Sequence, residues 1–209
     1  MSIMNMPPLP YVKRIPNLNT DPLKAAYTDP TVWDSFDPAL LTLCSPDPQA
    51  IRPPDEKVNV LQVTLPTNFK VARFDNERGN EIVRQLEKDV DAARFEVADG
   101  KIELPVKLRF YDSIFVPLAK WAMLIAGNYR CITEDGMRTA KEAVHTDLEA
   151  SRSIYNFVIE VCVKIGASRD DLVPFEKYAA AANELSRPAS AARALSNGAL
   201  NIERADKLV

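Results

Sequence analysis

The sequence predicts an α+β fold, in which a short strand-containing N-terminal part precedes a mainly α-helical C-terminal domain. Residues 1–57 hold most of the 16 prolines. Proline fixes φ and removes an amide donor, so we expect extended pieces and short turns there. From Tyr111 onward, apolar residues recur at helical spacing almost to the C-terminus. The change of pattern between these two regions predicts the order of the fold.

Two strands are predicted in the first third of the chain. Ala39–Cys44 is an apolar run bounded by Pro38 and Pro46, which favours a buried strand. Val58–Leu65 alternates apolar and polar residues with a period of two, and Pro66 ends it. The alternation makes this segment the clearest strand of the sequence.

A helix and a hairpin follow. Apolar residues recur at three- and four-residue steps over Asn76–Ala93, amid charged residues, which is typical of an amphipathic surface helix. Asp99 and Gly100 then form a turn dipeptide between Phe95–Val97 and Ile102–Leu108. We therefore expect these two segments to pair as a β-hairpin.

The C-terminal half is predicted to be helical throughout. Asp112 or Ser113 can cap its first helix, and Pro117 is tolerated in the first turn because the early amides have no intrahelical acceptor. The later helices are expected at Thr133–Gly166, ended by Gly166, at about Asp170–Leu185, capped by Ser168, and from Ser186 and Pro188 onward.

Composition excludes several classes of function. The net charge is −3, and no run of Lys or Arg provides a surface for nucleic acid or an acidic membrane. Small molecules or other proteins are the expected partners. The longest apolar segment, Ile114–Ala126, is shorter than the roughly 20 residues of a membrane-spanning helix. We see no secretory signal at the N-terminus, and we expect a cytoplasmic protein.

Cysteine and histidine usage argues against a metal site. Cys44, Cys131 and Cys162 lack CxxC spacing and lie in apolar surroundings, so we expect reduced core thiols. His145 is the sole histidine, and we interpret it as a partly exposed structural residue. No metal site and no Ser/His/Asp triad is therefore predicted.

Lys120 is the residue that points to chemistry. It is the only charged residue in the segment Ile114–Ala126, and on an α-helix Asn128 would follow within about 80° of it. A lysine in such surroundings is paired, extends its ammonium group to water, or serves a function. Desolvation disfavours the charged form, which is how a lysine becomes a proton donor near neutral pH.

The segment LAKWAMLIAGN, residues 118–128, resembles the beginning of the helical substrate domain of ketopantoate reductases. Lys120 and Asn128 keep the spacing of that family's lysine and asparagine, whereas Leu124 stands where the family has an intermediate asparagine. RPASAARALSNGALNIERADKLV, residues 187–209, resembles the family's C-terminal helix. Ser190 and Glu203 correspond there to its serine and its acidic residue.

The N-terminal part resembles the related opine dehydrogenases. MPPLPYVKR, Met6–Arg14, is similar to a segment of their nucleotide-binding domain, and LPTNFKVARF, Leu65–Phe74, to their crossover into the helical domain. The resemblance is to the 6-phosphogluconate dehydrogenase C-terminal-domain-like superfamily. It implies a partial nucleotide-binding-like α/β region over residues 1–108 and a helical substrate or dimerisation domain over residues 109–209.

The resemblance implies an NAD(P)-dependent reduction of a keto acid or imine, with a small anionic substrate. Lys120 would protonate the developing alkoxide, Asn128 and Ser190 would orient the substrate, and Glu203 would hold a hydroxyl or position the lysine.

The cofactor, NADP or NAD, is implied by the resemblance alone. GxGxxG is absent, so its binding residues are unknown, and we expect a truncated or split chain, or one completed by another chain. A homodimer is also expected. The alternative is a non-catalytic helical binding or assembly module that retains the reductase scaffold, which the missing glycine loop favours.

Overall fold

The α+β prediction is confirmed, with a few strands early in the chain and helices dominating its C-terminal part. The computed structural model describes residues 1–2, 6–16, 18–45, 50–51, 55–57, 60, 62–63, 67–200 and 205–209. The described α-helices are α1 (Leu9–Val12), α2 (Glu77–Ala92), α3 (Ala119–Met123), α4 (Ala140–His145), α5 (Leu148–Lys164), α6 (Phe175–Ala182) and α7 (Ser190–Ser196).

The described strands form two-stranded sheets. They are β1 (Ala50–Ile51), β2 (Gln62–Val63), β3 (Thr67–Ala72), β4 (Arg94–Val97), β5 (Gly100–Glu103), β6 (Val106–Tyr111), β7 (Ile132–Thr133) and β8 (Gly136–Met137). β3 and β6 pair in parallel, and the pairs β1–β2, β4–β5 and β7–β8 are antiparallel. Short 3₁₀ turns connect several of these elements.

The parallel pair β3–β6 and the helix α2 form one packed unit. Asn76 caps α2, since its side chain accepts a hydrogen bond from the Gly79 amide at 3.0 Å, and the predicted helix Asn76–Ala93 is thereby confirmed. Val83 on α2 packs against the strands. The buried residues of this cluster are Cys44, Val71, Phe74, Val83 and Leu108.

The main core joins both halves of the chain. Tyr11, Val12 and Ile15 from the N-terminal segment belong to the same buried cluster as residues of α3, α5 and α6. The Tyr11 hydroxyl donates a hydrogen bond to the Ile114 carbonyl. Residues on both sides of position 108 thus share one core, and the predicted division at 108/109 stays a prediction.

The N-terminal strand predictions are corrected in part. In place of a strand over Ala39–Cys44, a 3₁₀ turn covers Pro38–Leu40, because Asp37 accepts a hydrogen bond from the Ala39 amide at 2.9 Å and starts the turn. Leu43 and Cys44 alone form isolated bridges within the described part of that run. Of the predicted strand Val58–Leu65, β2 is described, and residues 58, 59, 61, 64 and 65 lie outside the described residues.

The hairpin at Asp99 and Gly100 is confirmed as β4–β5, but its second strand is shorter than predicted. β5 ends at Glu103, and β6 leaves the hairpin to pair with β3. Pro105 lies between the two strands, where it cannot donate a ladder hydrogen bond. One predicted strand therefore becomes two, in different sheets.

The predicted helix Thr133–Gly166 is wrong in its first part. The hairpin β7–β8 comes first, and Thr139 and Glu142 then form a capping box that starts α4. Asp147 accepts a hydrogen bond from the Ala150 amide at 2.8 Å and starts α5. Gly166, with φ of 114°, ends that helix as predicted.

The last predicted helices start later than expected. Ser168 caps a 3₁₀ turn at Arg169–Asp171, and α6 begins only after Pro174. α7 begins at Ser190, two residues after Pro188. Cys44, Cys131 and Cys162 are buried thiols, as predicted.

Among the described residues, none of the helices has both the length and the apolar character that crossing a membrane requires.

Candidate functional site

Lys120 lies on the wall of a pocket. The helix predicted to open at Asp112 or Ser113 begins instead as a 3₁₀ turn at Val116–Leu118, continues as α3, and changes to a π-helical turn at Leu124–Asn128. β6 extends to Tyr111, so the helical pattern starts later than predicted. Lys120 is half-buried, while Trp121 and Ala122 beside it are buried in the core.

Three lysines from three separate elements line this pocket, which has a volume of about 280 Å³. Lys70 comes from β3, Lys120 from α3 and Lys177 from α6. We call this site the lysine pocket. Its lining residues are Lys70, Val116, Ala119, Lys120, Met123, Val173, Lys177, Tyr178 and Ala181. None of these described lining residues carries a carboxylate, so the lining combines three lysines with mostly apolar side chains.

The spacing of residues along α6 and β3 explains why Lys177 and Lys70 both reach the lysine pocket. Val173, Lys177 and Ala181 recur every four residues, which places them along one side of α6 and the turn before it. On β3, Lys70 alternates with Phe69 and Val71, which pack in the cluster beneath α2, so its side chain projects from the opposite side of the strand. The two elements therefore present their lysines to the same space.

Tyr178 joins α6 to α3 at the pocket. Its hydroxyl donates a hydrogen bond to the Met123 carbonyl at 3.2 Å, and its ring stacks on Tyr155 with centroids 5.3 Å apart. Gly127 in the π turn makes room for this hydroxyl, since a Cβ at position 127 would lie 1.9 Å from it. Burial raises the pKa of Tyr178, which keeps the phenol protonated.

The charges in the pocket affect one another. Burial, and next the positive charge of Lys177, lower the pKa of Lys70. Its ammonium nitrogen also lies 5.8 Å from the centroid of the Tyr111 ring. Lys70 and Lys177 form no ion pair with any residue that the structure describes. A bound anion would relieve this repulsion between lysines.

Lys120 also acts on the interior beside the pocket. Burial raises the pKa of the Cys44 thiol to about 12, although the N-terminal ammonium group and Lys120 act in the opposite direction. The thiol is thus kept protonated and inert, as expected for a core cysteine. The positive field of Lys120 reaches inward as well as into the pocket.

The other predicted site residues lie elsewhere or cannot be placed. Asn128 is half-buried at the end of the π turn, and Ser190 is the exposed first residue of α7. α7 packs against that π turn, but neither residue lines the lysine pocket. Glu203 lies outside the described residues. The convergence of Lys120, Asn128, Ser190 and Glu203 in one cleft stays a prediction.

The π turn changes the geometry that the sequence predicted for Lys120 and Asn128. Their proximity followed from a regular α-helix, in which each amide bonds to the fourth residue before it. In a π turn the bond spans five residues, so the angular register shifts between the two side chains. The resemblance did not indicate this turn.

Lys70, Lys177 and Tyr178 were missed by sequence reasoning. The sequence does contain a sign of Lys177. This lysine lies between Val173 and Ala181 at four-residue steps, so it interrupts an apolar side of the helix. Lys70 lies about a hundred residues from Lys177 in sequence, and no local pattern connects them. Only the packing of β3, α3 and α6 brings the lysines together.

His145 is structural in the arrangement observed. It is half-buried at the end of α4, and its Nε2 lies 3.1 Å from the Ala179 carbonyl oxygen. No group of three or more His, Cys, Asp or Glu side chains within the described ranges could hold a metal ion.

The N-terminus of α2 carries a capping side chain and a carboxylate, and the predicted NAD or NADP cofactor stays a prediction. β3, α2 and β6 form a βαβ unit, in which a pyrophosphate would bind at the N-terminus of the helix. That position is closed here by the Asn76 side chain, and Glu77 places a carboxylate in the first turn. A carboxylate at this position disfavours a phosphate.

The chain was compared with protein families, with curated proteins and with solved structures, and none of the three comparisons found a match.

Proposed function

We propose that this chain binds a small organic anion in the lysine pocket. The observation that carries the proposal is the meeting of Lys70, Lys120 and Lys177, from three elements, around one concavity whose described lining contains no carboxylate. Lys70 and Lys177 form no ion pair within the described part of the chain, and their like charges raise the free energy of the folded state. A bound anion would offset that cost, which supports binding as the role of the site.

The lining also limits the ligand. Val116, Met123 and Val173 supply apolar lining beside the lysines. A volume of about 280 Å³ lies just below the range of about 300–1,000 Å³ that is usual for small-molecule sites, so we expect a small ligand. A carboxylate or phosphate group on a short apolar body fits both features.

Calorimetric titration at low ionic strength tests the proposal. We expect saturable binding of lactate or of glycerol 3-phosphate, and none of lactamide, which has the shape of lactate without its charge. Comparing the first two ligands decides between carboxylate and phosphate. Added salt should weaken binding, because the Debye length falls to about 10 Å at 0.1 M.

Variants locate the binding. Lys177→Gln should weaken it about tenfold, which corresponds to about 1.4 kcal/mol. Lys107→Gln is the matched control, since Lys107 lies on the neighbouring strand β6 and its ammonium nitrogen lies 3.5 Å from carboxylate oxygens of both Asp91 and Glu103. Equal weakening in the two variants would contradict binding at the lysine pocket.

Reduction of a keto acid or imine by NAD(P)H is the second candidate. The position of Lys120 on the pocket wall supports it, because a lysine beside a bound keto acid can protonate the oxygen that develops charge during hydride addition. The residues at the N-terminus of α2 argue against a dinucleotide there. Titration with NADPH and NADH, followed by the fluorescence of Trp33 and Trp121, tests this candidate. Absence of saturable quenching would leave the non-catalytic binding module.

A further inference from the structure

We propose that Lys70 forms a reversible imine with the carbonyl group of a small oxo acid held in the lysine pocket. The proposal rests on the proposed function, since the carboxylate of the oxo acid would occupy the anion site. It adds a covalent step and assigns a different role to each lysine. Lys70 is the amine that reacts, and Lys177 holds the carboxylate.

Hydrogen bonds on both edges of β3 fix the backbone position of Lys70. Its amide donates a hydrogen bond to the Ser45 hydroxyl at 3.0 Å, and its carbonyl accepts one from the Ser45 amide at 2.9 Å. On its other side, β3 pairs with β6, where Arg109 is the register partner of Lys70. The side chain therefore enters the pocket from a backbone fixed at both edges.

The surroundings of Lys70 favour its neutral, nucleophilic form. An amine attacks a carbonyl carbon only when its nitrogen is unprotonated. Partial burial of Lys70 and the charge of Lys177 both lower the pKa of Lys70, which enlarges that neutral fraction near neutral pH. The Lys177 charge also attracts a carboxylate to the pocket, so this residue contributes to binding of the oxo acid.

The reaction needs no oxidant or reductant. Nζ of Lys70 attacks the carbonyl carbon, and the carbonyl oxygen takes up a proton to give a carbinolamine. A second proton converts the hydroxyl to water, which leaves as the C=N bond forms. Nζ releases one proton when the carbinolamine forms and a second when the iminium ion becomes the neutral imine, so the two protons that leave in the water are balanced. Lys177, which lines the same pocket, is placed to carry these protons. The products are one imine and one water.

Lys107 shows why position matters. It is also half-buried and lies on the neighbouring strand, with 30% of its side chain exposed. Its ammonium group faces Asp91 and Glu103 instead of another lysine. Lys107 does not line the lysine pocket, so it should not react with an oxo acid bound there.

Borohydride trapping tests the inference. The intact chain is incubated with glyoxylate at neutral pH, reduced with sodium borohydride, and examined by intact mass and by peptide mapping. We expect one carboxymethyl adduct, located on Lys70. Lys70→Arg should abolish it while keeping the charge, and Lys107→Arg should leave it unchanged. Lys177→Gln should lower the trapping rate about tenfold, in line with the weaker binding expected when the cation that attracts the carboxylate is removed.

Two outcomes would overturn the inference. One is an adduct spread over exposed lysines, and the other is a Lys70→Arg chain that is labelled as efficiently as the original. Lactate, an anion without a carbonyl group, separates this result from the proposed function. If lactate binds but glyoxylate is not trapped, the imine is refuted and anion binding stands. If neither occurs, both are refuted.

Discussion

Lys70 and Arg109 are register partners on adjacent strands, yet their surroundings are opposite. Arg109 lies 2.6 Å from an Asp91 oxygen and 3.5 Å from a Glu87 oxygen, both on α2. Lys107 joins them through Asp91, and we call these four residues the ion-pair cluster. Lys70, one strand away, faces Lys177 in the lysine pocket. Arg109 and Lys107 are thus paired with carboxylates, whereas Lys70 and Lys177 lie near each other without a carboxylate partner among the described residues.

The difference indicates where a ligand is needed. In the ion-pair cluster each charge has a partner inside the chain, so nothing further has to bind. In the lysine pocket the charges of Lys70 and Lys177 repel each other, and a bound anion would provide the partner that these two lysines lack among the described residues. The two regions should therefore respond in opposite ways to the loss of a cation, to pH and to small anions.

Gly127→Ala should give the largest effect, because it removes the packing on which the pocket depends. The added methyl group would overlap the Tyr178 hydroxyl, which is buried and bonded to the Met123 carbonyl. We expect the free energy of unfolding to fall by about 3 kcal/mol, as for overpacked cores. Urea unfolding of the variant and of the original chain measures this difference in the free energy of unfolding.

A second variant isolates the cause of that loss. In a Tyr178→Phe background the overlapping hydroxyl is absent, so Gly127→Ala should cost clearly less there. An equal cost in both backgrounds would mean that the contact between Gly127 and Tyr178 does not hold α6 against the π turn.

Removing one cation from each region should give opposite results. Arg109→Gln removes the cation that pairs with Asp91 and Glu87, and we expect a small fall in the free energy of unfolding, because these ion pairs are partly exposed. Lys70→Gln relieves repulsion, and should leave stability unchanged or slightly higher. Chemical denaturation of the two variants and of the original chain measures both changes in the free energy of unfolding. A larger loss for Lys70→Gln would break the comparison.

Acid should weaken the ion-pair cluster. The hydrogen bond from Arg109 holds the pKa of Asp91 below its ordinary 3.8. The stabilisation is thus fully present above 3.8, and is lost as the pH falls through the lowered value. Stability measured over this range should decrease in the original chain, and less in Arg109→Gln. Matching slopes in the two would contradict this assignment.

Alkali should have a smaller effect, of opposite sign, at the lysine pocket. The folded pKa of Lys70 lies below the ordinary 10.5, so between these values the unfolded chain binds more protons. Stability contributed by Lys70 therefore rises with pH in that window. Subtracting the pH profile of Lys70→Gln from that of the original chain should show this rise, and a fall would contradict it.

Local features of the fold could be predicted from the sequence. Asn76 capped its helix, Asp99 and Gly100 turned their hairpin, and Gly166 ended α5, because each effect involves residues a few positions apart. The break within Thr133–Gly166 was also visible in principle, since Thr139 and Glu142 have capping-box spacing. Helical periodicity alone concealed it.

The site could be predicted only in part, because its geometry depends on distant contacts. Lys120 stood out, since it interrupts an apolar run. Lys70 became its neighbour through the parallel pairing of β3 with β6, and Lys177 through the packing of Tyr178 against α3. No sequence spacing encodes these contacts. The π turn could not be predicted either. It contains Gly127, which packs against Tyr178, and this contact joins residues about fifty positions apart.

The central claim is that the lysine pocket, and not the ion-pair cluster, takes up a small organic anion. Lysine side-chain NMR signals recorded during titration with lactate test it most directly. We predict that the signals of Lys70 and Lys177 shift together and saturate with one dissociation constant, while those of Lys107 stay in place. Shifts that grow without saturation, or that are equal at Lys107 and Lys70, would contradict it.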